Sequence, residues 1–268
     1  MEKRFRIMEN KVSKKEKIKS IEKAIDLLEL LSDKEKEMSI TEIGKELHMG
    51  VSTVHRILTT LKYRGYIVQN QQTSKYMLGT KLFILGCKVQ NTTNLIKVVT
   101  PFLQRLSQTT NETINFAILE GREAVYLFKI ESKEMLKAGI EVGTKVAAHC
   151  TSLGKVLLAF LPEQEFMMLY PNDNEKLPTF TPKSISSVEE LKKCLKKTKK
   201  QGYAIDEEEF KIGVNCLGVP IINNEGKAIA AISISGPVSR FSLFKMEKVK
   251  SMLIALSRDI SKQLLSNM

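Results

Sequence analysis

Between Ser20 and Gly79 the apolar positions recur three times at helical spacing and then switch to alternation. Ile21, Ala24, Ile25, Leu28 and Leu31 fall at i, i+3 and i+4, which predicts a first helix with Ser20 as its N-cap. Ile43 and Leu47 predict a short second helix from about Thr41 to Leu47, capped by Ser39 or Thr41 and broken at His48-Met49-Gly50. From about Ser52 a third helix carries Val54, Ile57, Leu58 and Leu61 on one stripe. Two helices joined by a short Gly-containing turn form the helix-turn-helix pattern. Two alternating runs around the polar Gln69–Ser74 then predict a β-hairpin wing.

The polar side of the third helix carries Ser52, Thr53, His55, Arg56, Thr59 and Tyr63, and none is acidic. A helix face shaped only by solubility normally includes Glu or Asp, whereas a row of hydroxyl, imidazole and guanidinium groups suits a polyanion. In a helix-turn-helix the second helix enters the major groove, so these residues, with Lys62 on the same helix and Thr41 at the start of the one before, are the candidate contacts to double-stranded DNA.

Beyond Leu82 an apolar-rich helix runs to a polar break at Asn91–Asn94, where the domain boundary is placed. A helix is expected around Pro101–Thr109, followed by a hairpin turning at Glu120-Gly121-Arg122. The segment 145–161 changes from strand to helix near Thr151. A second hairpin turns at Asn223–Gly226, and a long helix from about Ser242 closes the chain. Helices and antiparallel strands mixed in one region predict an α+β sheet layered by helices. The run Leu191–Lys200 reads as a solvated, lysine-rich helix face.

The 268 residues carry a formal net charge of +12. Between Ser39 and Cys87 six basic side chains face only Glu42 and Glu46, a positive footprint on the segment whose pattern already suggests DNA. No apolar run reaches the roughly 18 residues of a membrane span, and the basic start has no apolar core of a signal peptide, so a cytoplasmic protein is expected. Cys87, Cys150, Cys194 and Cys216 are scattered without a Cys-x-x-Cys pair, which fits reduced thiols.

Three segments bear on a small ligand. Ile232 and Ile234 point to one side of their strand and Ser233 and Ser235 to the other, a face either solvated or lining a pocket. The strand-to-helix passage at Ser152-Leu153-Gly154 offers backbone N–H groups to a carboxylate, unless Thr151 and Ser152 simply cap the helix. Asp206 opens an acidic run in which one inward carboxylate would accept a hydrogen bond from a ligand hydroxyl. Two other chemistries compete. Ser152 and Lys155 match the Ser-x-x-Lys motif of penicillin-recognising serine hydrolases, loosely echoed by Tyr170-Pro171-Asn172 and Lys211-Ile212-Gly213, although Ile212 stands where a hydroxyl residue is needed. His149, Cys150, Asp206 and Cys216 would make a metal site only if the fold gathered them.

In order and spacing, the helix-turn-helix segment 20–67, the "HCTSLGKVLLAFLP" segment and the "GYAIDEEEFKIGVNCLGVPIINNEGKAIAAISISGP" segment resemble the IclR family of bacterial transcription regulators over nearly the whole chain. Residues 1–16 read as a polar, basic arm, and the resemblance implies a winged helix-turn-helix domain (17–80), a linker helix used in dimerisation (81–94) and a GAF-like effector-binding domain (95–268). It implies a regulator rather than an enzyme, one that represses or activates as a homodimer or dimer of dimers; for this chain a repressor without cofactor or metal is expected, although some members hold a metal. The effector is expected to be a small organic acid, foremost a keto, hydroxy or sugar acid, with an aromatic acid as the alternative. By motif, the effector site falls on Asp206, Cys216, Ser233 and Ser235, with Ser152, Leu153 and Gly154 at the helix start. Leu153 is bulkier than the Gly or Ala of some members.

Overall fold

The structure, a computed structural model, describes residues 18–34, 36–92, 94–137 and 139–266. The basic arm expected over residues 1–16 lies outside them. The described residues form two compact units that divide between Asn94 and Leu95.

The first unit holds α1 (Lys19–Lys34), α2 (Ile40–Glu46), α3 (Val51–Tyr63), the hairpin β1 (Ile67–Gln69) and β2 (Tyr76–Leu78), and α4 (Thr80–Thr92). Ser39 caps α2 in a reciprocal capping box with Glu42, so the cap is Ser39 rather than Thr41. His48 takes the left-handed backbone conformation of the turn (φ 52°). The glycine that the turn needs is Gly44, because a Cβ there would stand 2.9 Å from the Met49 carbonyl oxygen. Val54 and Leu58 of α3 are fully buried, with Ile57 and Leu61 packed beside them. The stripe expected on α1 is rotated: Leu27, Leu30 and Leu31 enter the core, while Ile21 and Ile25 are exposed. A 16-residue helix against so small a unit is covered only along its C-terminal half, and the buried side is the one facing α3 and the wing.

The second unit is built on a six-stranded antiparallel sheet in the order β5-β4-β3-β8-β7-β6. Its strands are β3 (Thr113–Glu120), β4 (Glu123–Ile130), β5 (Lys145–Ala147), β6 (Ala204–Glu207), β7 (Val214–Ile222) and β8 (Ala228–Pro237). One face packs on α5 (Asn94–Thr110) and α9 (Leu243–Ser266) through Phe116, Val219, Ile232 and Ile234. Pro101 lies inside α5 rather than at its start. The helix tolerates the missing N–H because Val99, Leu103 and Leu106 seal it to the sheet. The other face is covered by α6 (Ser152–Ala159), which α7 (Glu163–Leu169) and α8 (Val188–Gln201) enclose. Of α8, Val188, Leu191, Leu195 and Thr198 are buried, leaving the lysines to solvent or to ion pairs such as Lys192 with Asp173.

Two glycines set how closely α6 sits on the sheet. A Cβ at Gly218 of β7 would lie 2.8 Å from the Ser152 carbonyl carbon, and one at Gly154 would lie 2.2 Å from the Ala148 backbone. The start of α6 is thereby pressed onto the serine side of β7 and β8.

Candidate functional site

The exposed arc of α3 holds Ser52, His55, Arg56, Thr59, Lys62 and Tyr63, with Tyr63 88% exposed, while Thr53 is half-buried. Thr41 is exposed in the first turn of α2, its hydroxyl 3.0 Å from that of Ser39. The Thr59 hydroxyl donates to the His55 carbonyl, which leaves the side chain an acceptor oxygen and a methyl group to present outward. Lys62 donates to Gln69 Oε1 (2.8 Å), tying α3 to the wing. The arc has two flanks. His55, Thr59, Lys62 and Tyr63 border a hollow with Gln69 and Tyr76 of the wing, whereas Thr53 and Arg56 line a cleft against α1 with Lys19, Lys23, Ile21 and Ile25.

Both acids of this region are engaged, Glu42 with Lys75 (3.6 Å) and the Ser39 cap, Glu46 with Lys34 (3.4 Å). Among the described residues the Arg56 side chain has neither an acidic nor a hydrogen-bonded partner. Its guanidinium stands free on the arc, which is the state in which a side chain is available to a phosphate or a guanine edge. Sequence pattern alone does not single out Lys19 and Lys23, because they belong to a different helix.

In the second unit, the register of four strands puts Thr113, Ser235, Cys216 and Asp206 in one row across β3, β8, β7 and β6. Asn115, Ser233 and Gly218 form the next row on the same face. Ser235, Cys216 and Asp206 line a cavity together with Asn115, Tyr126, Thr151, Gly139, Ile140, Phe210 and Lys211. Its free volume is about 30 Å³, room for one or two waters. The serine face of β8 is therefore buried, not solvated.

The remaining sequence-predicted residues fall around the cavity without lining it. Ser233 is buried beneath it, 3.4 Å from Asn115 Nδ2. Leu153 packs with Ala117, Tyr126 and Val156 in the core under α6, and Ser152 lies over Gly218. The Gly154 N–H is not free for a carboxylate: it donates to Thr151 Oγ1 at 3.0 Å, the ordinary N-cap bond. Thr151 takes the place on the wall that the helix start was expected to supply.

Burial dominates the electrostatics. It pushes the Asp206 carboxyl up from 3.8 to about 7, with Glu209 adding to the rise and the Lys155 ammonium opposing it. Asp206 Oδ1 accepts the Glu209 N–H at 2.8 Å. Burial likewise raises the Cys216 thiol and the Tyr126 phenol far above their usual ranges, so both are neutral donors around the carboxyl. Phe210, Lys211 and the Gly139-Ile140 segment complete the wall from loops.

The two competing chemistries fail on geometry. Lys155 is 2% exposed, and its ammonium is held by the Glu209 carboxylate and the Ile205 carbonyl, so it does not serve Ser152 as a base. His149 bonds the Pro178 carbonyl at 2.8 Å, which takes up its Nε2. Among the described residues no three His, Cys, Asp or Glu side chains gather as metal ligands do, and no helix is long and apolar enough to cross a membrane.

Two family models match the chain, the IclR helix-turn-helix domain over residues 20–71 and the bacterial transcriptional regulator IclR C-terminal domain over residues 87–262. The chain is 38% identical over 245 residues to the HTH-type transcriptional regulator XynR of Escherichia coli, covering 90% of this chain and 96% of that protein. It is 34% identical over 247 residues to the HTH-type transcriptional regulator KdgR of the same organism, covering 92% and 93%. The crystal structure of the Thermotoga maritima IclR, at 30% identity, superimposes with a TM-score of 0.74 over 92% of this chain and 98% of that one.

Proposed function

The chain belongs to the IclR family of bacterial transcriptional regulators, and from that premise we propose that it represses a catabolic or metabolic operon and releases it when a small organic acid enters the cavity of the second unit. It is a ligand-responsive DNA-binding regulator and not an enzyme. The observation that supports the acid is the convergence of Asp206, Cys216 and Ser235 from three strands onto one cavity beside Thr151. Keto, hydroxy and sugar acids offer the carboxylate and oxygen atoms such a polar wall can bind. On the DNA side, Ser52, Thr53, His55, Arg56, Thr59, Lys62 and Tyr63 of α3 and Thr41 of α2 are the proposed contacts, supported by the exposed, acid-free arc and the unpaired guanidinium.

A homodimer or dimer of dimers is the working form we propose. Phe83, Ile84 and Leu85 of α4 are exposed apolar side chains, and paired half-sites on an operator require paired winged units. A DNA-binding regulator meets its operator in the cytoplasm of a bacterium, and that is the compartment we propose for it. In the described form the cavity is too small for an acid of several heavy atoms. Binding thus requires the Phe210-Lys211 loop or the Gly139-Ile140 segment to move, which supplies the difference between liganded and unliganded states that any regulation needs.

The test begins with an operator selected from random duplexes by the purified protein. Titrating that complex with keto, hydroxy, sugar and aromatic acids is expected to find one acid that lowers operator affinity. An acid that binds tightly and leaves operator affinity unchanged refutes the coupling, and one that raises affinity reverses the sign.

A further inference from the structure

Among the residues that line the cavity, Asn115 carries a buried polar atom without a partner among the described residues. Asn115 is the third residue of β3, is 3% exposed and lines the cavity. Its Nδ2 donates to Ser235 Oγ at 2.9 Å and lies 3.4 Å from Ser233 Oγ. Its Oδ1 is buried and has no hydrogen-bond partner among the described residues. A buried amide oxygen left unpaired is costly, and such atoms are rare where nothing supplies a donor.

The amide meets both serine hydroxyls with Nδ2. Oδ1 is left as an acceptor without a donor.

We infer that Asn115 is a specificity-determining residue whose Oδ1 accepts a hydrogen bond from a hydroxyl of the bound acid, so that the cavity favours a hydroxy acid over the keto acid of the same carbon skeleton. The inference rests on the small-acid reading of the cavity. A keto oxygen brings only lone pairs and faces another acceptor. A methylene leaves Oδ1 unpaired, and a carboxylate oxygen repels it. Of the oxygen groups such acids carry, the hydroxyl donates. Sites built to hydrogen-bond a ligand group discriminate strongly against the analogue that lacks it, because their own buried atom is then stranded.

The test is calorimetric titration of the intact protein with matched acids: lactate against pyruvate and propionate, then glycerate, threonate, ribonate and gluconate, each against the unsubstituted carboxylate of equal length. The best hydroxy acid is then compared with its keto partner on Asn115→Leu. In the unaltered protein the hydroxy acid is expected to bind about tenfold or more tightly than its keto and deoxy partners. In Asn115→Leu that ratio is expected to fall toward one. A ratio within one protein is insensitive to a general loss of stability, and if the variant does not fold, the ratio in the unaltered protein decides alone. A ratio near one, a preference for the keto acid, or a ratio unchanged in Asn115→Leu overturns the role of Asn115 while the small-acid reading stands. Binding of no acid by the unaltered protein at millimolar concentration overturns that reading, and the role of Asn115 with it.

Discussion

Replacing Asp206 by asparagine tests the electrostatics of the cavity directly. The carboxyl is 3% exposed and its pKa moves from 3.8 to about 7, mainly through burial. Below about pH 4 it is protonated in both folded and unfolded chains. Between about pH 4 and 7 the folded chain holds a proton that the unfolded chain has released, so stability falls as pH rises. Above about pH 7 the buried ionised carboxylate imposes its full cost. A displacement of that size corresponds to about 4 kcal/mol, at about 1.4 kcal/mol per pH unit. The amide that replaces the carboxyl keeps its shape and an oxygen for the Glu209 N–H, but it does not titrate. Chemical unfolding followed by circular dichroism at steps from pH 4.5 to 8 should therefore show Asp206→Asn gaining on the unaltered protein by several kcal/mol across that range. The difference between the two proteins removes the contribution of distant titrating groups and leaves Asp206 together with the neighbours coupled to it, Glu209 and Lys155. A difference flat to within about 0.5 kcal/mol would refute the claim that Asp206 is protonated on folding. The same reasoning makes acid binding pH-dependent: an anion is accepted more readily beside a neutral Asp206, so affinity should weaken above about pH 7 in the unaltered protein and much less in the variant.

Arg56→Ala should weaken operator binding. If the guanidinium meets a phosphate, the slope of log affinity on log salt changes by about 0.9, and if it reads a base, discrimination at one position falls by about 1–3 kcal/mol; intact affinity and specificity would remove Arg56 from the interface. Ser235→Ala should reduce acid binding more than Ser233→Ala, because only Ser235 of the two lines the cavity. Thermal shift reads this, since a ligand at 100 times its dissociation constant adds about 2.7 kcal/mol, a few degrees. Gly154→Ala should destabilise the second unit by about 3 kcal/mol or more, because its methyl meets the Ala148 backbone at 2.2 Å; an unchanged melting temperature would show that α6 does not sit as closely as described.

Much of the local structure is legible in the chain. The stripe Val54, Ile57, Leu58 and Leu61 specifies both the existence of α3 and which side it buries, and two polar breaks place the hairpins at Gly121-Arg122 and Asn223–Gly226. These are short-range effects, decided by periodicity and turn chemistry within a dozen residues. The three-residue row of Asp206, Cys216 and Ser235 is reachable by motif, although nothing local shows that the strands align.

Choices between faces, by contrast, are settled by packing. The apolar residues of α1 cover more than one side, and packing against α3 and the wing selects Leu27, Leu30 and Leu31 over Ile21 and Ile25. Asn115 looks like any polar residue in an alternating strand until β3 pairs with β8 and sets it opposite Ser233. The Gly154 N–H is open to a ligand as far as the sequence goes, and it is taken because Thr151 sits at the N-cap of α6, three residues before it. Local pattern determines which elements form, whereas burial and register depend on partners more than a hundred residues away, and the depth of Asp206 follows from helices stacked over a sheet that the row of side chains cannot itself reveal.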